Sequence, residues 1–156
     1  MAANDYAILF VCTGNICRSP TAEAVLANEA ARAATALRVA SAGTHGYHVG
    51  EPADDRAVAT AAAHGIDMQD HRAQAVGTQD FHDYDLIVAL DRGHLRWLEA
   101  RAPADARAEI RLFMDFAGAT GSDVPDPYYG DDRDFEEMMK LIRDGVAGIL
   151  DSLDGL

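Results

Sequence analysis

Hydrophobic positions along the chain fall into short unbroken runs separated by stretches with helical spacing. "YAILFV" at residues 6–11 is apolar throughout, with aromatic and β-branched members, the pattern of a strand buried on both faces. Gly14, Asn15 and Ser19 break the run, and Pro20 opens "PTAEAVLANEAARAA", whose alanine, leucine and glutamate favour helix with a proline at a first helical position. "LRVASA" at 37–42 predicts a second strand, closed by Gly43. A helix over 53–63 ends at His64 and Gly65, the glycine supplying a left-handed stop. "YDLIVAL" at 84–90 predicts a third strand, and the helix after it runs from Asp91, its cap, to Arg101. "EIRLFM" at 109–114 predicts a fourth strand. A Gly/Pro/Asp-rich loop covers 117–131. Phe135, Met138, Met139, Ile142, Val146, Ile149, Leu150 and Leu153 then keep helical spacing through a closing helix over 132–153.

Strands alternating with helices imply right-handed crossovers and a parallel sheet. The expected fold is α/β: a single three-layer domain spanning residues 1–156, with a central four-stranded parallel sheet flanked by helices and a loop after the first strand placed to bind a ligand. In such folds ligands sit at the carboxyl ends of the strands.

Composition narrows the function classes. With 49% hydrophobic and 25% charged residues the chain reads as an ordinary globular domain rather than a disordered one. The net charge is −13, yet residues 1–50 balance three acids (Asp5, Glu23, Glu29) against three arginines (Arg18, Arg32, Arg38), so the excess lies beyond residue 50. One lysine, Lys140, and scattered arginines give no basic footprint for nucleic acid. The longest apolar run, Tyr6 to Cys12, is far short of a membrane span, and no basic segment leads into a cleavable apolar one. The expectation is a cytoplasmic protein that binds neither nucleic acid nor membrane. Cys12 and Cys17 make no disulfide framework, and in a reducing cytosol they point to catalysis or redox chemistry.

Those two cysteines lie in "VCTGNICRSP" at 11–20. Cys12 stands at the carboxyl end of the first strand, in a loop that runs into a helix N-terminus. Successive backbone N–H groups of Thr13, Gly14, Asn15, Ile16, Cys17 and Arg18 can line an anion nest, the helix adds roughly half a positive charge, and the Arg18 fork suits phosphate oxygens. The same field favours thiolate over thiol and makes Cys12 a nucleophile at neutral pH. Ser19 can donate its hydroxyl hydrogen to the sulfur, Gly14 removes a β-carbon that would crowd an oxyanion, and Asn15 tolerates a left-handed backbone while its amide braces the loop.

The stretch resembles the signature of the low-molecular-weight protein tyrosine phosphatases, and the resemblance extends to "SAGT" at 41–44, "HGI" at 64–66 and "DPYYG" at 126–130, so it covers nearly the whole chain. It implies hydrolysis of phosphotyrosine in a protein or peptide, with inorganic phosphate as product, through a cysteinyl-phosphate on Cys12. Asp126 is implied as general acid, which the chemistry also asks for because a phenolate leaves more readily when protonated. Against this, Asp-Pro is common turn chemistry. Tyr128 and Tyr129, and Tyr47 on another side, are implied as walls of the substrate pocket. A deep aromatic slot favours phosphotyrosine over phosphoserine and should admit small aryl phosphates. His71 is implied to make a structural hydrogen bond to the phosphate loop. Many relatives carry an arginine where this chain has Gln74, which leaves Arg72 as the basic residue there.

Two readings stand for Cys17: a packing residue, or a redox partner that captures oxidised Cys12 as a disulfide. The cysteine spacing is not that of a zinc knuckle and no second Cys/His pair follows, so neither metal nor cofactor is expected. Two rival functions remain. Arsenate reduction on a similar loop needs a cysteine relay, and no cysteine follows Cys17. A phosphate-binding adaptor would be expected to lack the nucleophile or the acid. The chain is expected to be monomeric, with weak self-association through Tyr128 and Tyr129.

Overall fold

The computed structural model describes residues 5–153. Four parallel strands, β1 (Tyr6–Cys12), β2 (Leu37–Gly43), β3 (Leu86–Ala89) and β4 (Glu109–Leu112), lie in the order β2-β1-β3-β4. Among the described residues six helices accompany them: α1 (Arg18–Arg32), α2 (Asp55–Ala63), α3 (Asp80–Asp83), α4 (Arg92–Arg101), α5 (Phe113–Phe116) and α6 (Asp132–Leu153).

β1 is central and covered on both sides, which is why its residues are uniformly apolar. Ile8 and Phe10 face the larger core, built with Val25 and Leu26 of α1 and Met139, Ile142 and Val146 of α6. Leu9 and Val11 face the other layer, where Phe81 of α3 and Leu98 of α4 close over Ile87 and Ala89. The three-layer parallel α/β expectation therefore holds. Among the described residues no helix is long and apolar enough to cross a membrane.

The fourth strand is shorter than its apolar run suggests. The chain leaves the sheet after Leu112, and Phe113 and Met114 enter α5. Phe113 is fully buried there, edge-on to Phe10 at 6.0 Å between ring centroids, and it packs over Gly145 of α6, where a β-carbon would overlap its ring. Gly148 makes the same allowance for the Phe116 carbonyl. Alternation alone cannot see this, because burial inside a sheet and under a helix favours the same residues. α1 begins two residues ahead of Pro20, whose missing N–H falls among the first-turn groups that lack an intrahelical partner. α3 carries no sequence period and was not anticipated. Asp54 caps α2 by accepting the Arg56 N–H at 2.8 Å, and His64 ends it with Gly65 at φ +78°.

Candidate active site

The loop 13–17 joins the end of β1 to the start of α1, as β1's position at the sheet centre requires for a ligand site. Its carbonyls are taken from outside. Cys12 O accepts from Thr44 N (2.9 Å), Thr13 O from His45 N (3.0 Å), Ile16 O from Asp54 N (2.8 Å) and Cys17 O from Thr21 N (3.2 Å). These bonds fix the course of the loop backbone around the cavity. Cys17 is the N-cap of α1 but makes no side-chain capping bond, so the first-turn N–H groups stay open to a ligand.

Asn15 holds this shape at φ +60° with no exposed surface. Its Nδ2 donates to Ser19 Oγ (2.8 Å) and Ser41 Oγ (2.9 Å), and its Oδ1 accepts from Gln74 N (2.9 Å). His71 Nε2 donates to the Asn15 carbonyl at 2.7 Å. Proton directions follow. Each Asn15 hydrogen goes to one hydroxyl oxygen; Ser41 gives its own hydrogen to Glu23 Oε1 (2.6 Å), and Ser19, 2.8 Å from Cys12 Sγ, donates its hydrogen there when the sulfur is a thiolate, which can only accept. Burial pushes the Glu23 carboxyl up, opposed by the Ser41 bond and by His71. Gln74 also donates Nε2 to Ser41 O (2.9 Å), while Arg72 stays on the surface.

Arg18 is almost wholly buried. Its Nη1 donates to Asp91 Oδ2 (2.8 Å) and Val124 O (2.9 Å), and its Nη2 lies 3.7 Å from Asp126 Oδ2. Asp91 therefore both caps α4, through the His94 N–H (2.9 Å), and grips the arginine. Burial pushes its carboxyl up, but the bonds from His94 and Arg18 outweigh that and hold it below the ordinary range. The His94 ring, 5% exposed, meets Thr13 Oγ1 at 2.8 Å through Nε2. Burial, with Arg18 adding to it, pushes this imidazole down to about 4.

A cavity of about 240 Å³ opens here, lined by Cys12, Thr13, Gly14, Ile16, Cys17, Arg18, His48, Asp126, Tyr128 and Tyr129. A larger hollow of about 560 Å³ behind α1, with Glu23 and His71 in its wall, contains neither cysteine. Asp126 is half exposed, and its Oδ1 accepts from Tyr128 N at 3.1 Å. Tyr128 and Tyr129 meet edge to face at 4.9 Å. The Arg56 guanidinium lies over Tyr128 at 5.5 Å and Phe135 at 4.7 Å while pairing with Asp54 at 3.0 Å.

One expected wall residue stands elsewhere. Tyr47 is 76% exposed, stacks on His45 at 5.1 Å, and does not line the cavity; His48 takes that side. A β-carbon on Gly14 would come within 2.9 Å of His48 Cδ2, so that glycine seats a ring as well as leaving room for an anion. Cys17 is buried, with its thiol pushed up by burial and by Asp54 beside it.

Sequence reasoning missed Gly43, Ser41, Glu23 and His94 as parts of the loop's support. Gly43 had the clearest signal, since it closes a strand: a β-carbon there would sit 2.6 Å from Thr13 O. His94, at helical position three after a capping Asp, carried none.

A parallel sheet with a cysteine nucleophile candidate at the end of its central strand, inside an anion loop closed by a buried arginine, is the architecture of a cysteine-dependent phosphatase. Residues 7–155 match the family described as "Low molecular weight phosphotyrosine protein phosphatase", and the chain belongs to it. It is 46% identical over 150 residues to low molecular weight protein-tyrosine phosphatase A of Mycobacterium tuberculosis, covering 94% of this chain and 91% of that one. It is 44% identical over 151 residues to the Streptomyces coelicolor low molecular weight protein-tyrosine-phosphatase, covering 93% and 92%. The protein tyrosine phosphatase of Entamoeba histolytica, solved with Hepes in its active site, superposes with a TM-score of 0.91 at 32% identity, covering 96% of this chain and 97% of that one.

Proposed function

We propose that this chain hydrolyses phosphotyrosine in proteins or peptides, and small aryl phosphates, releasing inorganic phosphate. The observation that carries the reading is one cavity holding Cys12, in contact with Ser19, together with Arg18 and Asp126. The Cys12 thiolate attacks phosphorus. A sulfur–phosphorus bond forms, the bond to the phenolic oxygen breaks, and Asp126 gives that oxygen its proton. Loop N–H groups and Arg18 hold the three equatorial oxygens through the transition state. Water then attacks phosphorus and gives its proton to Asp126, and the thiolate leaves, stabilised by the Ser19 hydroxyl. Arg18 also links the two halves of the reaction. A phosphoryl dianion and the Asp126 carboxylate beside the same guanidinium repel each other, and a proton on Asp126 removes the repulsion while supplying what the leaving group needs.

Tyr128, Tyr129 and Ile16 give the cavity apolar walls for an aryl ring. Cys17, kept as a thiol by its buried surroundings, is the reading's redox partner: a peroxide converts Cys12 to a sulfenic acid, Cys17 displaces water from it, and a disulfide results. The enzyme works as a cytoplasmic monomer, with weak self-association at the Tyr128–Tyr129 rim.

The test is phosphate release from a phosphotyrosine peptide, without added metal, by the wild type and by Cys12→Ser. Release by the wild type alone supports the assignment. Equal release by both removes Cys12 from the chemistry, and turnover of arsenate instead would favour the reductase reading.

A further inference from the structure

We infer that Arg92 and Asp123 form a clamp that positions Asp126 over the cavity, making both residues positioning elements for proton transfer to the leaving group. The inference rests on the reading of Asp126 as the proton donor. Arg92 is the first residue of α4, so its N–H has no partner inside the helix. Asp123, from a segment thirty-one residues later, supplies one: its Oδ1 accepts the Arg92 N–H at 2.8 Å and Nε at 3.1 Å, and its Oδ2 accepts Nη2 at 3.3 Å. This is a two-oxygen fork match with a backbone bond added, a geometry that fixes direction as well as distance.

The next residue completes the anchorage. Val124 is fully buried, donates its N–H to Leu90 O at 3.0 Å, and gives its carbonyl to Arg18 at 2.9 Å. Residues 123 and 124 are thereby tied to the end of β3, the start of α4 and the phosphate-binding arginine. From there to Asp126 the chain has little freedom, because Pro125 has a fixed φ and Pro127 restricts the residue before it. Before the clamp lie Gly118 and Gly121, both at positive φ, in a loop whose bonds are local: Gly121 N donates to Asp115 Oδ1 at 2.9 Å and Ser122 N to Ala119 O at 3.0 Å.

The paired side chains are 60% and 36% exposed, so the pair adds little to global stability. Its effect should appear in where the carboxyl stands.

The experiment measures kcat/KM, which reports formation of the cysteinyl-phosphate, for phenyl phosphate and p-nitrophenyl phosphate. Nitrophenolate leaves with little help from an acid; phenolate does not. Arg92→Met and Asp123→Asn are each expected to lower the phenyl phosphate value about ten-fold, a fraction of what a general acid contributes, and the p-nitrophenyl value less than about two-fold. The double variant should be no worse than either single one, and Arg92→Lys should recover part of the loss. Equal losses on both substrates, or no loss on either, would overturn the clamp. Asp126→Asn, run in parallel, separates the two claims. If it steepens the leaving-group dependence and the clamp variants do not, the clamp alone is wrong; if it does not, the Asp126 assignment fails and the clamp with it.

Discussion

Asn15 is the residue on which the shape of the phosphate loop should depend most, and two substitutions there separate its contributions. Asn15→Gly removes three hydrogen bonds, to Ser19, Ser41 and the Gln74 N–H, from a side chain with no exposed surface. At about 1 kcal/mol for each, the loss is about 3 kcal/mol. Asn15→Ala loses the same bonds and also places a β-carbon at φ +60°, which adds about 1 kcal/mol. For a domain of this size the alanine variant should unfold about 10 °C lower than the wild type, with glycine a few degrees above alanine. Urea unfolding at pH 7 supplies the free energies, provided the slope is unchanged. The same variants should alkylate more slowly with iodoacetamide, because Ser19 no longer has its oxygen occupied by the amide and its hydrogen aimed at Cys12. Equal destabilisation by alanine and glycine would refute the backbone argument. A loss under about 1 kcal/mol from both would refute the network as the loop's support.

Three other outcomes follow from the geometry. Because burial lowers the His94 imidazole to about 4 against 6.5 for a free ring, the unfolded chain binds the extra proton between those values; stability rises with pH through that window and is lost as pH falls from about 6.5 to about 4. Comparing urea midpoints at pH 7 and pH 4, the wild type should lose about 3 kcal/mol more than His94→Gln, and equal losses would show that the ring is not held neutral. Gly43→Ala should cost about 2 kcal/mol in urea unfolding and weaken competitive inhibition by inorganic phosphate, since its neighbours at 2.6 Å and 3.2 Å are backbone atoms of Thr13 and Asn15 and cannot swing aside. Tyr47→Ala should leave kcat/KM for phenyl phosphate within about two-fold, as for other exposed sites, whereas His48→Ala should raise KM.

The order of strands and helices was legible because β1 and β3 are apolar on both faces and α6 keeps a clean helical period over 22 residues. The loop was legible for a different reason: Cys12, Gly14, Asn15, Arg18 and Ser19 are neighbours in sequence, so their chemistry can be read without knowing the fold. Beyond the Asn15 amide and His71, what holds the loop was not legible. Ser41, Gln74, Asp91 and His94 reach it from 26 to 81 positions away, and each belongs to a residue type that is ordinary wherever it occurs. Asp91 shows the limit well. Its sequence position identifies a helix cap, and it is one, but its second oxygen carries the contact to Arg18, which only the neighbouring of β1 and β3 creates.

That same neighbouring explains how a chain of charge −13 keeps an anion site. At physiological ionic strength charges beyond about 8 Å are largely screened, so the acids of the outer surface matter little and those around the cradle decide. There the carboxylates already have donors: Asp91 has Arg18 and the His94 N–H, Asp54 has Arg56, Asp123 has Arg92, and Glu23 has the Ser41 hydroxyl. Among the residues lining the cavity, Asp126 is the one carboxylate, and its contact with Arg18, at 3.7 Å, is longer than the 2.8 Å that Asp91 makes. The arrangement separates two tasks that a single carboxylate could not perform together. Asp91 stays ionised and fixes the guanidinium, which leaves Asp126, half in solvent and loosely held, available for the proton-transfer role proposed for it.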